Sequence, residues 1–254
     1  MQHYLDAALY ESTFRQRRHD IDYYVELARR SGGPVLEYGA GAGRVTLALA
    51  RAGIEVVAVD KSQPMLDLLA ERLGEVPAAV RARVRVVRGD MRTRRALGQF
   101  PLILATFNVV GHLQDLKDMQ AFLARVREHL TDDGELVFDV PVPSPDELEA
   151  DPDEPHRAPR FKHPTSGQWI RQTERFDYDA IRQVLTVDSE FQVEGRRDSL
   201  SVPLILRQWF PRELDALLTY EGFAQVRALA DYTDQPALGD VDMLVMHASR
   251  RPRG

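Results

Sequence analysis

Two hydrophobic periods alternate along the chain, and their order predicts its architecture. Between residues 30 and 140, apolar runs at 35–36, 54–59, 84–88 and 100–108 are each followed by a turn or by apolar side chains recurring every three or four positions. The runs read as buried strands and the longer recurrence as helices lying on them. Val45, Leu47 and Leu49 mark one helix, and Met65, Leu66, Leu68 and Leu69 the next. Residues 115–130 form a third, and a fifth strand follows at 135–140. Ser62 and Pro64 suit a helix start, and Gly53 and Gly74 suit helix ends. Alternation of this kind builds a parallel sheet covered by helices.

The pattern changes after residue 140. Residues 141–166 hold seven of the fifteen prolines, with Asp146, Glu147, Glu149, Asp151, Asp153 and Glu154 among them, and read as a loop or lid outside the core. Three segments with period-two alternation follow at 168–178, 181–193 and 199–209, as in an antiparallel meander. Pro211 opens a helix, Gly222 follows its end, and 223–231 with 242–248 supply a last strand pair. Ahead of the sheet, Leu5, Leu9, Ile21, Tyr24, Val25, Leu27 and Ala28 lie at helical spacing, predicting two short helices. Three regions result: 1–140 with the N-terminal helices and a ligand-binding core, 141–209 with the proline-rich loop and meander, and 210–254 completing the core.

The chemistry gathers after the first strand. Glu37-Tyr38-Gly39-Ala40-Gly41-Ala42-Gly43 sets three glycines at every second position, between strand and helix. Glycine permits a tight turn and lets a ligand approach where a Cβ would clash. A dinucleotide turn has its third glycine five residues after the first, and Arg44 stands there instead. The second strand ends in Asp60, an acid placed to bond ribose hydroxyls. The fold expected is therefore α/β: a Rossmann-like, doubly wound, mostly parallel seven-stranded sheet with an inserted antiparallel β-meander.

With Val59-Asp60-Lys61-Ser62-Gln63-Pro64-Met65-Leu66, Gly89-Asp90-Met91, and Phe107-Asn108 with Gly111-His112-Leu113, the glycine turn resembles the class I S-adenosylmethionine (SAM) dependent methyltransferases. The pieces come in that family's order over residues 30–140. The resemblance implies SAM as cofactor, with S-adenosylhomocysteine as product. It implies cofactor contacts from Glu37, Gly39, Gly41, Gly43, Asp60, Lys61, Met65, Asp90, Met91 and Phe107. Asp90 would accept from the adenine amino group, and the backbone N–H after it would donate to a ring nitrogen. The N-terminal segment would fold over the cofactor and bring Tyr10 and Arg15 to the methionine carboxylate. In similar small-molecule methyltransferases, including the aminosugar N-methyltransferases, the inserted sheet covers the acceptor or pairs subunits. Trp169, Arg171, Arg207 and Trp209 are the substrate candidates on that basis, and Asn108, at the carboxyl end of the fourth strand near the methyl group, is a further one. His112, beside the methyl group, is the candidate base, with an ordinary pKa near 6.5; a structural contact is its alternative role. Metal-dependent catechol O-methyltransferases carry Asp where this chain has Asn108, so no metal ion is expected.

Composition narrows the picture further. At 254 residues the chain can bury one sizeable core. A net charge of −6 gives no general attraction to nucleic acid, and no basic face is expected. The absence of cysteine removes disulfides, thiolate catalysis and Cys-based zinc sites. The N-terminus lacks signal-peptide features, and no apolar run approaches the roughly 18 residues of a spanning helix. The expectation is a cytoplasmic enzyme, monomer or homodimer, moving a methyl group to an amine or hydroxyl of a small molecule, with N-methylation leading. A SAM-binding module without turnover and an RNA methyltransferase are the alternatives.

Overall fold

In the computed structural model, residues 19–95, 97–163 and 166–250 are described. They divide into two compact units: residues 143–208 form one, and the described residues on either side, 19–142 and 209–250, form the other.

The larger unit is a seven-stranded sheet. In chain order it comprises α1 (His19–Ser31), β1 (Val35–Tyr38), α2 (Arg44–Arg51), β2 (Val56–Asp60), α3 (Gln63–Glu75), the single turn α4 (Ala78–Arg81), β3 (Val84–Arg88), β4 (Phe100–Ala105), a 3₁₀ turn Val109–His112, α5 (Leu116–His129) and β5 (Leu130–Pro141). After the smaller unit come α7 (Pro211–Tyr220), β10 (Gln225–Ala230) and β11 (Met243–Ser249). The strand order is β10-β11-β5-β4-β1-β2-β3, and β11 runs antiparallel to both its neighbours. β1 is buried throughout and pairs in parallel with β2 on one side and β4 on the other. The order therefore reverses between β1 and β4, and a crevice opens there beyond the carboxyl ends of the strands. The core fills both faces of the sheet: Leu36, Ile103, Phe122, Leu136 and Phe138 pack on one, and Val35, Leu49, Ala58, Leu69 and Leu104 on the other.

Several boundaries differ from the sequence reading, and β5, read as 135–140, begins at Leu130. β4 ends at Ala105, so Phe107 and Asn108 belong to a turn and not to the strand. α3 runs through Gly74 to Glu75. A further difference concerns charge. Seven arginines and a single acid lie between residues 81 and 95, an arrangement that a net charge of −6 conceals. β3 is an edge strand, and its Arg85 and Arg88 are exposed. Charge of this kind blunts an edge against pairing with another chain.

The smaller unit holds α6 (Pro145–Leu148) and a four-stranded antiparallel sheet in the order β6 (His156–Lys162), β7 (Trp169–Asp179), β8 (Val184–Val193), β9 (Ser199–Arg207). Residues 141–166, read as a loop, thus contain an edge strand. Pro159 is tolerated because β6 lies at the edge and its register shifts between Ala158 and Phe161. Ile170, Phe191 and Val202 form a small core, with Phe161 packed on it. Among the described residues no helix is long and apolar enough to cross a membrane.

Candidate functional site

The three glycines of the first turn are all left-handed, with φ of 71° at Gly39, 54° at Gly41 and 83° at Gly43. Space separates their roles. A Cβ on Gly39 would come within 2.2 Å of Val109 Cγ2, and one on Gly43 within 2.3 Å of Leu69 Cδ1, so a side chain at either would force its neighbour to move. A Cβ on Gly41 would meet only Met65 Cε, at 3.5 Å, an ordinary contact. Bare backbone is therefore presented at Gly41, and Gly39 and Gly43 let the turn lie flat on its neighbours.

Asp60 closes this turn from the next strand. Its Oδ2 accepts from Gly41 N–H at 2.8 Å and its Oδ1 from Ser62 N–H at 2.8 Å. Burial raises its pKa, and these backbone donors work against that rise. Each oxygen keeps a lone pair for a further donor such as a ribose hydroxyl. Ser62 occupies the N-cap position of α3 as expected, but with no capping bond from its hydroxyl. Lys61 is exposed beside Asp60, and Met65 is buried against the glycine turn.

Glu37 lies at the root of the turn, 1% exposed, where it accepts from Thr46 Oγ1 at 2.5 Å. Burial pushes its carboxyl up to about 7, against the pull of the Thr46 bond and the Arg44 charge. Arg44, the residue in place of a third dinucleotide glycine, is gripped by Asp20 of α1, with Nη1–Oδ1 at 2.7 Å and Nη2–Oδ2 at 2.5 Å. Its guanidinium lies 5.2 Å from the centre of the Phe107 ring.

Asp90, after β3, is held by a neighbour. Arg92 donates from Nε to Oδ1 at 3.0 Å and from Nη2 to Oδ2 at 2.7 Å, and its Nη1 reaches Asp118 at 2.7 Å. The Arg92 bond holds the Asp90 carboxyl below its usual range. Met91 is half-buried against the core.

The turn after β4 is the second wall of the crevice. Phe107 and Asn108 both have positive φ, 63° and 52°, a costly conformation for side chains of this size. Sequence reasoning missed what holds them. Asp139 on β5 is fully buried, and it accepts from Phe107 N–H at 2.9 Å, Asn108 N–H at 2.6 Å and the Tyr24 hydroxyl at 2.6 Å. The available signal was an acid inside the apolar run Leu136-Val137-Phe138-Asp139-Val140, where an unpaired charge is unaffordable. Asn108 then leads into the 3₁₀ turn, whose last residue is His112, half-buried.

The substrate candidates fall in both units, Trp169, Arg171 and Arg207 in the smaller and Asn108 and Trp209 in the larger. Trp209 lies beyond β9, in the core of the larger unit, 2% exposed, and its Nε1–H donates to Val110 O at 3.1 Å. It supports the 3₁₀ turn from beneath. On the smaller sheet Arg171 pairs with Gln192, and Arg207 with Val184. Those partners are eight residues apart on β8, or roughly 26 Å, so the two arginines sit at opposite ends of the sheet. Arg171 is within 3.5 Å of Glu194, and Arg207 donates to Gln208 O at 3.0 Å. Trp169 is half-exposed with Arg160 and Lys162 over its ring. Tyr10 and Arg15 lie outside the described residues.

A separate cavity of about 340 Å³ opens toward the amino ends of the strands, lined by Leu27, Leu102, Glu135, Arg227 and His247 among others. Two of its polar groups are tied to each other, Arg227 donating to Glu135 at 3.0 Å, and His247 Nε2 lies 2.6 Å from the hydroxyl of Tyr23, a residue outside the lining. Among the described residues no group of three or more His, Cys, Asp or Glu side chains is placed to hold a metal ion.

Residues 36–136, which hold both turns, match a family described as a methyltransferase domain. The chain is 32% identical over 113 residues to the cypemycin N-terminal methyltransferase of a Streptomyces species, covering 44% of each chain. It is 39% identical over 80 residues to the magnesium-protoporphyrin O-methyltransferase of Rhodobacter capsulatus, covering 32% of this chain and 34% of that one. The chain thus matches less than half the length of these curated relatives. Among solved structures it resembles SAM-bound CalS10, an amino pentose methyltransferase of Micromonospora echinaspora, with a TM-score of 0.73 at 19% identity over 96% of this chain and 97% of that one. The fold is shared with this solved SAM-bound methyltransferase, and residues 36–136 match the methyltransferase domain.

Proposed function

We propose that this chain is a SAM-dependent methyltransferase that moves a methyl group to an amine or hydroxyl of a small molecule, in secondary metabolism. The observation that carries this reading is the glycine turn: bare backbone at Gly41, tied to the Asp60 carboxylate, within the segment that matches the methyltransferase domain. The donor set fits the cofactor. Asp60 would hold the ribose, Asp90 and Met91 the adenine, and Gly39 to Gly43 the backbone side of the methionine portion.

When bound, the cofactor supplies a methyl group already activated by its sulfonium. The chain's own residues bind, orient and handle the proton. Phe107 and Asn108 border the crevice where an acceptor must approach in line, and alignment at near-attack distance supplies much of such an acceleration. His112 would take the proton of an amine or hydroxyl acceptor at an imidazole nitrogen, an assistance typically worth about 10²–10⁴-fold. One curated relative is an N-terminal methyltransferase and the other an O-methyltransferase, which keeps both acceptor classes in play, with the amine leading.

Incubation with methyl-labelled SAM and a panel of aminosugars, peptides with free N-terminal amines and hydroxylated aromatics tests this directly. Label should move to a small acceptor, at a rate that His112→Ala lowers without weakening S-adenosylhomocysteine binding. Cofactor binding with no transfer to any acceptor would favour a binding module without turnover. The arginine-rich β3 edge gives a specific reason to include RNA in the panel. Label transferred to RNA, with binding that falls steeply with salt, would overturn the small-molecule reading.

A further inference from the structure

We propose that Asp139 is a positioning residue for methyl transfer, a carboxylate that clamps the left-handed Phe107-Asn108 turn at the wall of the crevice; this rests on the methyltransferase reading above. Three observations converge on it. The turn places two consecutive side-chain-bearing residues at positive φ, and neither is a glycine that would adopt it freely. Conformations of this kind are costly and persist only where the surroundings over-determine them. Here the backbone of the turn is held by one carboxylate. Both successive N–H groups of the turn point at the Asp139 carboxylate, one to each oxygen, and the Tyr24 hydroxyl shares Oδ2 with Phe107 N–H. Donors to a carboxylate make stronger hydrogen bonds than neutral pairs do, and all three lie at 2.6–2.9 Å.

The clamp is framed on every side. Tyr24 comes from α1, buried, with Asp20 one turn before it gripping Arg44. Arg44 comes from α2, lies over the Phe107 ring, and is the nearby cation whose charge offsets Asp139 and Glu37. Below the turn, Trp209 fixes the Val110 carbonyl. Beside it, Gly111 leaves room for the Asn108 side chain, which lies 2.9 Å from where a Cβ would stand. The turn thus has its backbone set by Asp139, its aromatic face by Arg44 and its exit by Trp209. Its direction determines where Phe107, Asn108 and, through the 3₁₀ turn, His112 are presented. Of the cofactor candidates only Phe107 lies in this turn, and the glycine turn, Asp60 and Asp90 sit on other strands, so the clamp acts on the chemical step more than on cofactor affinity.

The test uses the full chain with Asp139→Asn and Tyr24→Phe. Asn keeps the shape but replaces one accepting oxygen with an NH₂ group facing a backbone N–H. In Asp139→Asn, amide hydrogen exchange at Phe107 and Asn108 should rise at least tenfold. Its kcat should fall at least tenfold while the S-adenosylhomocysteine Kd changes less than threefold. Tyr24→Phe retains both turn donors and covers the case in which the first variant does not fold; its kcat should fall at least threefold with Kd kept. Wild-type kcat in either folded variant would overturn the proposal. So would a kcat that declines only in proportion to the unfolded fraction measured by circular dichroism, since that describes a purely structural acid. If the wild-type chain binds no S-adenosylhomocysteine and transfers no methyl, the functional reading has failed, and the exchange measurement still tests the clamp by itself.

Discussion

The two turns that border the crevice meet the same demand in opposite ways. Both follow a parallel strand, both need positive φ, and each has a buried carboxyl at its root. After β1 the conformation is provided by glycine, and Glu37 beneath it accepts one hydroxyl, from Thr46. After β4 the conformation is imposed on Phe107 and Asn108, and Asp139 beneath it accepts two of the turn's own N–H groups. The glycine turn holds its shape by the absence of side chains; the second turn holds it by a specific bond set. A ligand can therefore lie against the first, whereas the second can present side chains to an acceptor. The turns also touch, because the space above Gly39 is filled by Val109.

That contact gives the sharpest way to break the comparison. Gly39→Ala adds a Cβ at a left-handed position and drives it into Val109. The backbone penalty of about 1–2 kcal/mol and the overpacking penalty of about 1–3 kcal/mol together predict a loss of roughly 3 kcal/mol in urea unfolding. Val109→Ala in the same chain removes both γ carbons and should recover most of the packing part, leaving the backbone part and the 2.9 Å approach of Cβ. A double mutant no more stable than Gly39→Ala alone would mean the turns are not coupled through this contact.

Glu37 offers the next largest effect, read in the chain without ligand. Its folded pKa of about 7 lies above the ordinary 4.5, so burial favours the protonated carboxyl. The stability this contributes is present in full below about pH 4.5, declines as the unfolded chain ionises, and is lost as pH rises through about 7. Glu37→Gln, which can still accept from Thr46, has no such dependence. It should gain about 2–3 kcal/mol on the wild type between pH 4.5 and pH 8. Parallel stability curves for the two proteins would show that Glu37 is ionised in the folded state throughout.

Gly41→Ala should separate function from folding within the glycine turn. With only Met65 at ordinary contact distance, its stability cost is the backbone part alone, about 1–2 kcal/mol. Cofactor binding should nevertheless be lost, because the added Cβ occupies the ligand's approach. Normal binding in a folded Gly41→Ala protein would remove Gly41 from the site. The smallest effect belongs to the second turn's support. Trp209→Phe leaves the Val110 carbonyl without its indole donor and should cost about 1–2 kcal/mol, with kcat reduced more than cofactor affinity. Equal losses in both would place Trp209 in the general core only.

The difference between the turns also explains what could be read from the chain. Glycines at every second position, an acid ending the next strand and the strand–helix alternation each follow from local chemistry, and the seven-stranded sheet and the place of Asp60 were legible from them. The second turn is hidden because Phe107 and Asn108 extend an apolar run, and the residue that bends them lies 31 positions from Asn108, on another strand. Only the cost of burying Asp139 hinted at it. β6 was hidden by Pro159, whose compatibility with an edge strand depends on a register shift that no local pattern shows. Register likewise separates Arg171 from Arg207, and alternation alone carries no register. Arg44 was legible as the residue that is not a glycine. Its bond to Asp20, across the first strand, was not.

The central claim is that the glycine turn with Asp60 is built for SAM and not for a dinucleotide. Calorimetric titration of the full chain with S-adenosylhomocysteine and, separately, with NAD tests it most directly, with Asp60→Ala alongside. Binding of S-adenosylhomocysteine, no detectable binding of NAD, and a loss of about 1.5–3 kcal/mol in Asp60→Ala for each charged hydrogen bond removed are the expected results. Tighter binding of NAD than of S-adenosylhomocysteine would contradict it.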